Sequence, residues 1–295
     1  MFSVVIPVYK TEPYLAACVQ SVLSQESACE VIVVNDGSPG PTDETIEPFL
    51  SRIKYLKQEN SGVNAARNHG ATSATGEFLL FLDSDDLYDE GFLNDLQRSL
   101  DANPDADVLY GGFTWADESG SKLHSYAANS FQSSPLEILQ EQCIAPIMAV
   151  AIRQSLFSKL GGFDGSMKAC EDWDLWLRAA LAGATFTRVE TRGAIYRRVP
   201  GSVSNQFIAM WRGLTRLHEK HAAAMTRAGY PNFVVLSADH FLDRYLPEHY
   251  GNDLTYRWLQ RRTNRAKKLL PLLRKQPHLR KHILRRALRT MKLSR

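Results

Sequence analysis

The feature that most constrains this chain is an apolar run that ends abruptly in acidic residues. Residues 78–82 are all apolar, and Asp83, Asp85 and Asp86 follow within four positions. A short continuous apolar run is typical of a strand buried on both faces of a sheet. Three acids at its end repel one another unless a cation or a hydrogen-bonding ligand lies among them. The pattern therefore predicts a binding site at the carboxyl end of a buried strand, although a solvated acidic turn would have the same sequence.

Apolar segments of strand length alternate with segments of helical periodicity through the first third of the chain. The predicted strands are 2–8, 30–34, 53–56 and 78–82, and the predicted helices begin after Thr11 and cover 42–52 and 64–72. Short connections in a β-α-β-α-β-α-β order are typical of a parallel, doubly wound sheet. The predicted fold class is therefore α/β, a mostly parallel sheet flanked by helices.

Beyond residue 86 the pattern is less regular. The sequence predicts a helix at 90–102, a strand at 108–113, a hairpin or loop at 114–135, a buried strand at 147–152 and a helix at 172–181. Residues 205–256 have helical character, and we expect a separate helical subdomain there.

Composition places the chain among ordinary globular proteins and argues against several other classes. Of its 295 residues, 44% are hydrophobic and 23% are charged, which suffices for a sizeable core. No apolar stretch approaches the ~20 residues that span a bilayer, and the start of the sequence lacks the features of a signal peptide. The four cysteines show neither a CxxC pair nor metal-ligand spacing, so we expect reduced packing residues and a cytoplasmic protein.

Acidic residues also follow a second strand and open a later helix. Asp36 lies in the turn-forming sequence after the strand at 30–34, and Glu171 and Asp172 begin the helix predicted at 172–181. A carboxylate at a strand end can accept hydrogen bonds from a base or a ribose, and an ionised one at a helix start can act as a general base. Each can equally be a structural residue. The functional interpretation depends on these acids meeting at one edge of the sheet.

Four ordered motifs of the chain resemble those of glycosyltransferase family 2. They are Ser3-Val4-Val5-Ile6-Pro7-Val8-Tyr9, Val33-Val34-Asn35-Asp36-Gly37-Ser38, Asn60-Ser61-Gly62 leading to Ala66-Arg67-Asn68-His69-Gly70, and Phe81-Leu82-Asp83-Ser84-Asp85-Asp86. The acceptor-side catalytic segment of that family resembles Gly161-Gly162-Phe163-Asp164 followed by Glu171-Asp172-Trp173-Asp174-Leu175. The resemblance covers about residues 2–205. It implies a GT-A fold and an inverting enzyme that uses a nucleotide sugar.

The resemblance implies roles for the matching positions on the donor side. Asp83 and Asp85 would form the DxD pair around Ser84, with Asp85 the leading ligand of Mn²⁺ or Mg²⁺. The residues that would line the nucleobase and ribose pocket are Pro7, Tyr9, Asp36 and Arg67.

The resemblance also assigns the chemistry of transfer. Asp172 would deprotonate the acceptor hydroxyl, with Glu171 as its neighbour. Arg197 and Ser202 lie in a segment that would close over the diphosphate. Val199 stands where many members carry a metal-binding histidine, so few protein ligands are expected for the metal.

The basic residues are concentrated at the carboxyl end. Residues 257–295 contain 15 Lys and Arg and no acid, whereas the first 256 residues carry 20 basic and 32 acidic residues. On a helical wheel, residues 278–293 separate into an apolar and a basic half, with Arg280 as the exception. Such a helix suits an anionic membrane surface, and it would equally pack its apolar face on the acidic body or in a dimer. Few aromatic residues lie near it, so nucleic-acid binding is a weaker alternative.

The sequence thus predicts a GT-A domain at 1–205, with a nucleotide-binding half at 1–100 and an acceptor half at 101–205, then a helical subdomain at 206–256 and the basic tail at 257–295. We interpret the protein as transferring a sugar from a UDP-sugar to a hydroxyl of a glycan or lipid-linked acceptor in bacterial surface polysaccharide synthesis. It would act in the cytoplasm, and at the inner face of the plasma membrane if the tail binds lipid. The alternatives are a nucleotide-sugar-binding protein without transferase activity and a nucleotidyltransferase, for which no Gly-rich phosphate loop with a lysine is found.

Overall fold

A computed structural model describes residues 1–250 as an α/β fold around a seven-stranded sheet. The strands are β1 (Phe2–Val8), β2 (Cys29–Asp36), β3 (Lys54–Gln58), β4 (Phe78–Phe81), β5 (Leu87–Tyr88), β6 (Val108–Tyr110), β7 (Phe113–Ala116), β8 (Lys122–Tyr126), β9 (Val150–Arg153), β10 (Phe186–Arg188) and β11 (Ala194–Arg197). The helices are α1 (Glu12–Leu23), α2 (Thr42–Ile46), α3 (Val63–Ser73), α4 (Phe92–Ala102), α5 (Leu136–Leu139), α6 (Gln154–Lys159), α7 (Glu171–Leu181), α8 (Phe207–Arg227) and α9 (Phe233–Tyr250). The strands predicted in the first third of the chain are confirmed to within a few residues.

The seven-stranded sheet has the order β10-β6-β9-β4-β1-β2-β3 and is parallel except for β9. Strand β1 pairs with β2 on one side and with β4 on the other, and every residue of β1 and β4 is buried. Continuous apolar runs are what strands covered by helices on both faces require. The mostly parallel α/β sheet predicted from the sequence is therefore confirmed.

Helix α3 packs directly on β1 because residue 70 is a glycine. A Cβ atom on Gly70 would lie 2.4 Å from Val5 Cγ1, so a larger residue would force the helix away from the sheet. The helix begins after Gly62, whose φ of 91° lies in the left-handed region that glycine favours. This close packing sets Arg67, in the second turn of α3, beside the turn that follows β4.

A second sheet, of four strands in the order β5-β11-β7-β8, is not foreseen by the sequence. The single strand predicted at 108–113 is wrong, because β6 belongs to the large sheet and β7 to the small one. The chain changes sheets at Gly111 and Gly112, and a Cβ on Gly112 would lie 2.1 Å from the Tyr126 carbonyl oxygen. Of the two alternatives for 114–135, the hairpin is confirmed for β7 and β8, which pair antiparallel.

Two other segments differ from their predicted form. The helix predicted at 42–52 stops after Ile46 and continues as a 3₁₀ turn at Glu47–Phe49, where Pro48 cannot donate an amide hydrogen bond. The apolar run at 147–152 begins as a 3₁₀ turn and becomes extended only at β9, which runs antiparallel to β4. Short apolar runs suit either form, so periodicity alone does not separate them.

Two long helices follow the sheets, in agreement with the helical character predicted from residue 205. Helix α8 packs on α7, and α9 packs on α8. Across residues 1–250, no helix has both the length and the apolar character needed to cross a bilayer. The end of the predicted subdomain, at 251–256, and the basic tail at 257–295 lie outside the described residues.

Candidate active site

A cleft of about 370 Å³ opens at the carboxyl ends of β1, β2 and β4. Its lining residues are Pro7, Val8, Tyr9, Thr11, Asp36, Asn60, Gly62, Val63, Asp83, Ser84 and Asp85. They come from segments far apart in the chain, which parallel strands bring to one edge of the sheet. The cleft thus brings together six residues singled out from the sequence, namely Pro7, Tyr9, Asp36, Asp83, Ser84 and Asp85.

Asp36 forms part of the cleft wall and also fixes the loop before α3. Its Oδ1 accepts hydrogen bonds from Gln58 Nε2 at 2.7 Å and from the Ser61 amide at 2.9 Å. Its Oδ2 accepts one from the Gly62 amide at 2.9 Å. A carboxylate offers about four acceptor sites, so capacity remains for a donor on a ligand. The structural and the binding interpretations of Asp36 are therefore compatible.

The acidic turn after β4 is fixed by hydrogen bonds to other elements. The Asp86 amide donates to the Asp83 carbonyl oxygen at 2.8 Å, which closes the turn. Buried Asp86 accepts a hydrogen bond from the Arg197 amide at 2.9 Å, and Ser84 Oγ lies 2.6 Å from Thr11 Oγ1. With Asp86 turned inward, Asp83 and Asp85 are the carboxylates of this turn that line the cleft.

The Asp85 carboxylate is poorly stabilised as an anion. Burial, and then the charge of Asp83, raise the pKa of Asp85 to about 6. Among the residues whose side chains are described, no other one donates a hydrogen bond to it. A divalent cation would relieve this repulsion, and hard cations such as Mg²⁺ favour one or two carboxylates plus phosphate oxygens. The two cleft carboxylates therefore fit such an ion.

The described residues supply few further ligands. Among the side chains that the structure describes, those of residues 1–241 and 244, no three or more His, Cys, Asp or Glu form a group that could hold a metal ion. A cation at Asp85 and Asp83 would therefore take its remaining ligands from phosphate and water oxygens.

Arg67 links the cleft to helix α7. Its buried guanidinium donates from Nη2 to Asp83 Oδ1 at 2.6 Å and from Nη1 to Glu171 Oε1 at 2.9 Å. It also lies over the Phe163 ring, 5.3 Å from the centroid. Arg67 is not among the residues that line the cleft, whereas the resemblance implied a role in the nucleobase pocket. Both terminal nitrogens of its guanidinium are bound to carboxylates instead.

Glu171 and Asp172 begin α7 in different surroundings. Glu171 accepts the hydrogen bond from Arg67, whereas burial and the adjacent Glu171 charge raise the pKa of Asp172 to about 7. Asp172 Oδ1 also accepts a hydrogen bond from the Trp173 amide at 2.7 Å. A carboxylate whose pKa lies near neutrality can accept a proton and release it again at the working pH. Glu171 is thus an ion-pair partner, and Asp172 is the candidate proton acceptor.

Arg197 and Ser202, both expected near a diphosphate, lie in different places. Buried Arg197 stacks over the Tyr14 ring at 5.1 Å, and its charge acts on Asp85 and Asp86 through space. Among the side chains described at 1–241 and 244, none forms an ion pair with it. Ser202 Oγ lies 2.9 Å from Ser204 Oγ, and Ser202 is not among the cleft residues. Arg197 therefore lies near the acidic turn, whereas Ser202 is not a residue of the cleft lining.

Five cleft residues received no role from the sequence: Val8, Thr11, Asn60, Gly62 and Val63. Thr11 holds Ser84, and the Gly62 amide holds Asp36. Residues 60–62 could have been recognised from the sequence as a turn before a helix, since glycine favours positive φ. The contact of Thr11 with Ser84 joins two distant turns and has no local signal.

Known proteins share this sequence pattern over most of the chain. The family model described as Glycosyl transferase family 2 matches residues 3–161. Glycosyltransferase GlyG of Streptococcus pneumoniae is 29% identical over 250 residues, which cover 78% of this chain and 82% of that protein. An uncharacterized glycosyltransferase of Rickettsia typhi is 26% identical over 246 residues, covering 79% of this chain and 77% of that one.

Solved structures share the fold. A crystal structure of S. aureus TarS 1–349 in complex with UDP-GlcNAc aligns with a TM-score of 0.65 at 19% identity, over 84% of this chain and 74% of that one. Mannosyltransferase PcManGT from Pyrobaculum calidifontis, in complex with GDP-Man and Mn²⁺, aligns with a TM-score of 0.60 at 18% identity, over 97% of this chain and 84% of that one. The fold is therefore GT-A. Since the family model matches more than half of the chain, the protein belongs to glycosyl transferase family 2.

Proposed function

We propose that this glycosyltransferase moves a sugar from a nucleotide sugar, most simply a UDP-sugar, to an acceptor hydroxyl with inversion at the anomeric carbon. The observation that carries the proposal is the position of Arg67. Its guanidinium binds Asp83 of the cleft and Glu171 of α7 at the same time. The candidate donor acids and the candidate base Asp172 therefore belong to one site.

The cleft offers a nucleotide two chemically different ends. Pro7 and Tyr9 present apolar and aromatic surface to a base, and Asp36 retains acceptor capacity for a base N–H or a ribose hydroxyl. At the other end, the charges of Asp83 and Asp85 would repel a diphosphate. Mn²⁺ or Mg²⁺ held by these two carboxylates would neutralise the phosphates and stabilise the leaving diphosphate. The UDP-GlcNAc of TarS and the GDP-Man and Mn²⁺ of PcManGT support this choice of ligands.

The proposed reaction is a single displacement. The acceptor oxygen attacks the anomeric carbon from the face opposite the diphosphate, and the bond from that carbon to the phosphate oxygen breaks. Asp172 takes the proton of the acceptor hydroxyl, and its pKa of about 7 suits that task. Buried Arg197 adds positive charge beside the acidic turn, where negative charge grows on the leaving group.

The predicted nucleotide-binding and acceptor halves would have different roles in the reaction. Residues 1–100 would bind the donor, and residues 101–205 would supply the base and the acceptor surface. We propose a glycan or lipid-linked acceptor in bacterial surface polysaccharide synthesis, which the bacterial origin of GlyG and the Rickettsia relative supports. The enzyme would act in the cytoplasm, with the basic tail at 257–295 on the anionic inner face of the membrane.

A panel of nucleotide sugars tests the proposal. Full-length protein is incubated with UDP-glucose, UDP-galactose, UDP-GlcNAc, UDP-GalNAc or GDP-mannose, each with Mn²⁺ or with EDTA. We expect one donor to raise the melting temperature in Mn²⁺, because a ligand that binds only the native state stabilises it by mass action. The same donor should release free nucleotide by slow hydrolysis, and the anomeric configuration of the freed sugar, read by NMR at early times, should be inverted.

The same panel separates the alternatives. Stabilisation by a nucleotide sugar without nucleotide release, even with cell-envelope glycolipid added as acceptor, would favour a binding protein without transferase activity. No stabilisation by any member of the panel would contradict a nucleotide-sugar donor.

A further inference from the structure

The segment that carries the candidate base is anchored by a side chain from α8. Lys220 Nζ lies 2.7 Å from Asp164 Oδ2 and 2.7 Å from Asp174 Oδ1. Asp164 precedes the pair Glu171 and Asp172, and Asp174 follows it. One ammonium group therefore ties together both ends of the segment 164–174.

Lys220, Asp164 and Asp174 form a clamp, and Asp174 is its buried centre. It has no solvent exposure, and it accepts hydrogen bonds from Arg178 Nε at 2.9 Å and His221 Nε2 at 2.8 Å as well as from Lys220. Burial opposes its ionisation, but the hydrogen bond from His221 and the nearby positive charges leave the pKa of Asp174 below its usual value. The hydrogen bond from Lys220 likewise lowers the pKa of Asp164. Both acids are thus held as anions against one ammonium group.

Other contacts fix the same segment from the donor side. Asn64 of α3 donates through Nδ2 to the carbonyl oxygens of Asp164 at 3.1 Å and Met167 at 2.9 Å. Cys170, directly before α7, has a φ of 59°, a left-handed conformation that a non-glycine residue keeps only where its surroundings hold it. The backbone that leads to Asp172 is therefore held in a strained form by contacts on two sides, α3 and α8.

We infer that Lys220 is a positioning residue for Asp172, and that α8 belongs to the catalytic unit rather than to a separate helical subdomain. The inference rests on the proposed function, since it assigns Asp172 the role of base. Lys220 acts through the backbone of 164–174, whose ends it fixes. A displacement of about 1 Å in a reacting group can reduce turnover by about 100-fold, so loss of a single anchor has a measurable effect.

The test compares Lys220→Met, which removes the charge but keeps an unbranched side chain, with Lys220→Arg, which keeps the charge. Lys57→Met is the matched control, because Lys57 forms an exposed ion pair with Asp43 outside the cleft. With the donor identified by the nucleotide-sugar panel, we expect kcat of Lys220→Met to fall about tenfold while the donor KM stays within about twofold. Lys220→Arg should recover most of kcat, and Lys57→Met should match the parent.

A second measurement requires no turnover. Amide hydrogen exchange in peptides covering 164–174 should be faster in Lys220→Met than in the parent, whereas exchange at 78–86 should be unchanged. Asp164→Asn provides a milder variant that removes one end of the clamp. It should lower kcat in the same direction, and combining it with Lys220→Met should cause little further loss, because both changes break the same contact.

The outcomes distinguish this inference from the proposed function. Parental kcat in Lys220→Met, in an enzyme whose parent turns over, would overturn the positioning role alone. Faster exchange throughout the chain, with no rescue by Lys220→Arg, would indicate general stability and would also overturn it. Absence of nucleotide release by the parent would overturn the proposed function, and the positioning role with it.

Discussion

The two acidic pairs of the site are built alike. On the donor side, Asp83 is bound by Arg67, and burial together with the Asp83 charge raises the pKa of neighbouring Asp85 to about 6. On the acceptor side, Glu171 is bound by the same Arg67, and burial together with the Glu171 charge raises the pKa of Asp172 to about 7. In each pair one acid forms an ion pair with the guanidinium, and its charge raises the pKa of the other.

The pairs differ in what lies next to the unpaired acid. Asp85 is part of a tight turn that lines an open cleft, where a cation and a phosphate can approach. Asp172 lies in the first turn of α7, on a segment held by α3 and α8. The same electrostatic arrangement therefore suits a cation on one side and a proton on the other. The following predictions would separate the two sides or show that they are equivalent.

The largest effect is expected for Asp172→Asn. Loss of the proton acceptor should reduce turnover by about 10²–10⁴-fold, because that is the usual contribution of a general base. Nucleotide affinity should stay at the parental value, since Asp172 does not line the cleft. Steady-state kinetics and calorimetric titration with UDP in Mn²⁺ measure the two quantities. Asp105→Asn is the control, because Asp105 is an exposed acid in a loop. Full turnover in a folded Asp172→Asn would show that Asp172 is not the base.

The next effect is a loss of stability in Arg67→Met. Without the guanidinium, the carboxylates of Asp83 and Glu171 lose their common partner in a buried setting, which should cost on the order of 3 kcal/mol of unfolding free energy. Urea denaturation measures it. Arg67→Lys should recover only part, because an ammonium group lacks the planar fork that reaches both acids.

Arg67→Met also tests whether Arg67 binds the nucleotide. If the guanidinium bridges the two pairs, the folded fraction of Arg67→Met should still bind UDP in Mn²⁺ within a few fold of the parent. Parental stability combined with lost UDP affinity would instead return Arg67 to the nucleobase pocket that the resemblance implied.

A smaller effect, with opposite signs in two conditions, is expected for Asp85→Asn. In Mn²⁺ the variant should bind UDP about 10–100-fold more weakly, as expected when a metal site loses a supporting group. In EDTA it should bind UDP slightly better than the parent, because one negative charge facing the diphosphate is gone. Equal behaviour of parent and variant in Mn²⁺ would show that Asp85 holds no cation. Asp105→Asn again serves as the control.

The smallest effect is the pH dependence that Asp172 imposes. Because the base must be ionised, turnover should fall about tenfold per pH unit below about pH 7 and level off above it. The raised pKa also means that the folded protein keeps a proton that the unfolded chain releases near pH 4. Stability should therefore decline as pH rises from about 4 to about 7. In Asp172→Asn, that part of the decline in stability should be absent. If stability depends on pH as it does in the parent, another group titrates.

Much of the donor side follows from local sequence. The apolar run before Asp83 predicts a buried strand, and the parallel sheet then brings Asp36 and Asp85 to one edge. The acceptor side was harder to predict. Glu171 and Asp172 could be recognised as a helix start, but nothing local indicated that Arg67 would hold one of them.

The unforeseen second sheet and the wrong prediction of a single strand at 108–113 have one physical origin. Residues 108–113 were predicted as one strand because apolar and aromatic residues flank the two glycines. Gly111 and Gly112 instead allow the backbone to pass close to its neighbours and change sheets. A close approach of this kind depends on the partner strand, which a window of sequence does not contain.

The sequence by itself determined the α/β class, the buried strands and the acids at their carboxyl ends, since apolar periodicity and turn chemistry are local properties. Only the tertiary structure decided which acids are paired and which are free to bind or react. Arg67 joins α3 to the β4 turn and to α7. Lys220 joins α8 to Asp164 before α7 and to Asp174 within it. Charge interactions depend on distance in space and on burial, and neither is written in the order of residues along the chain.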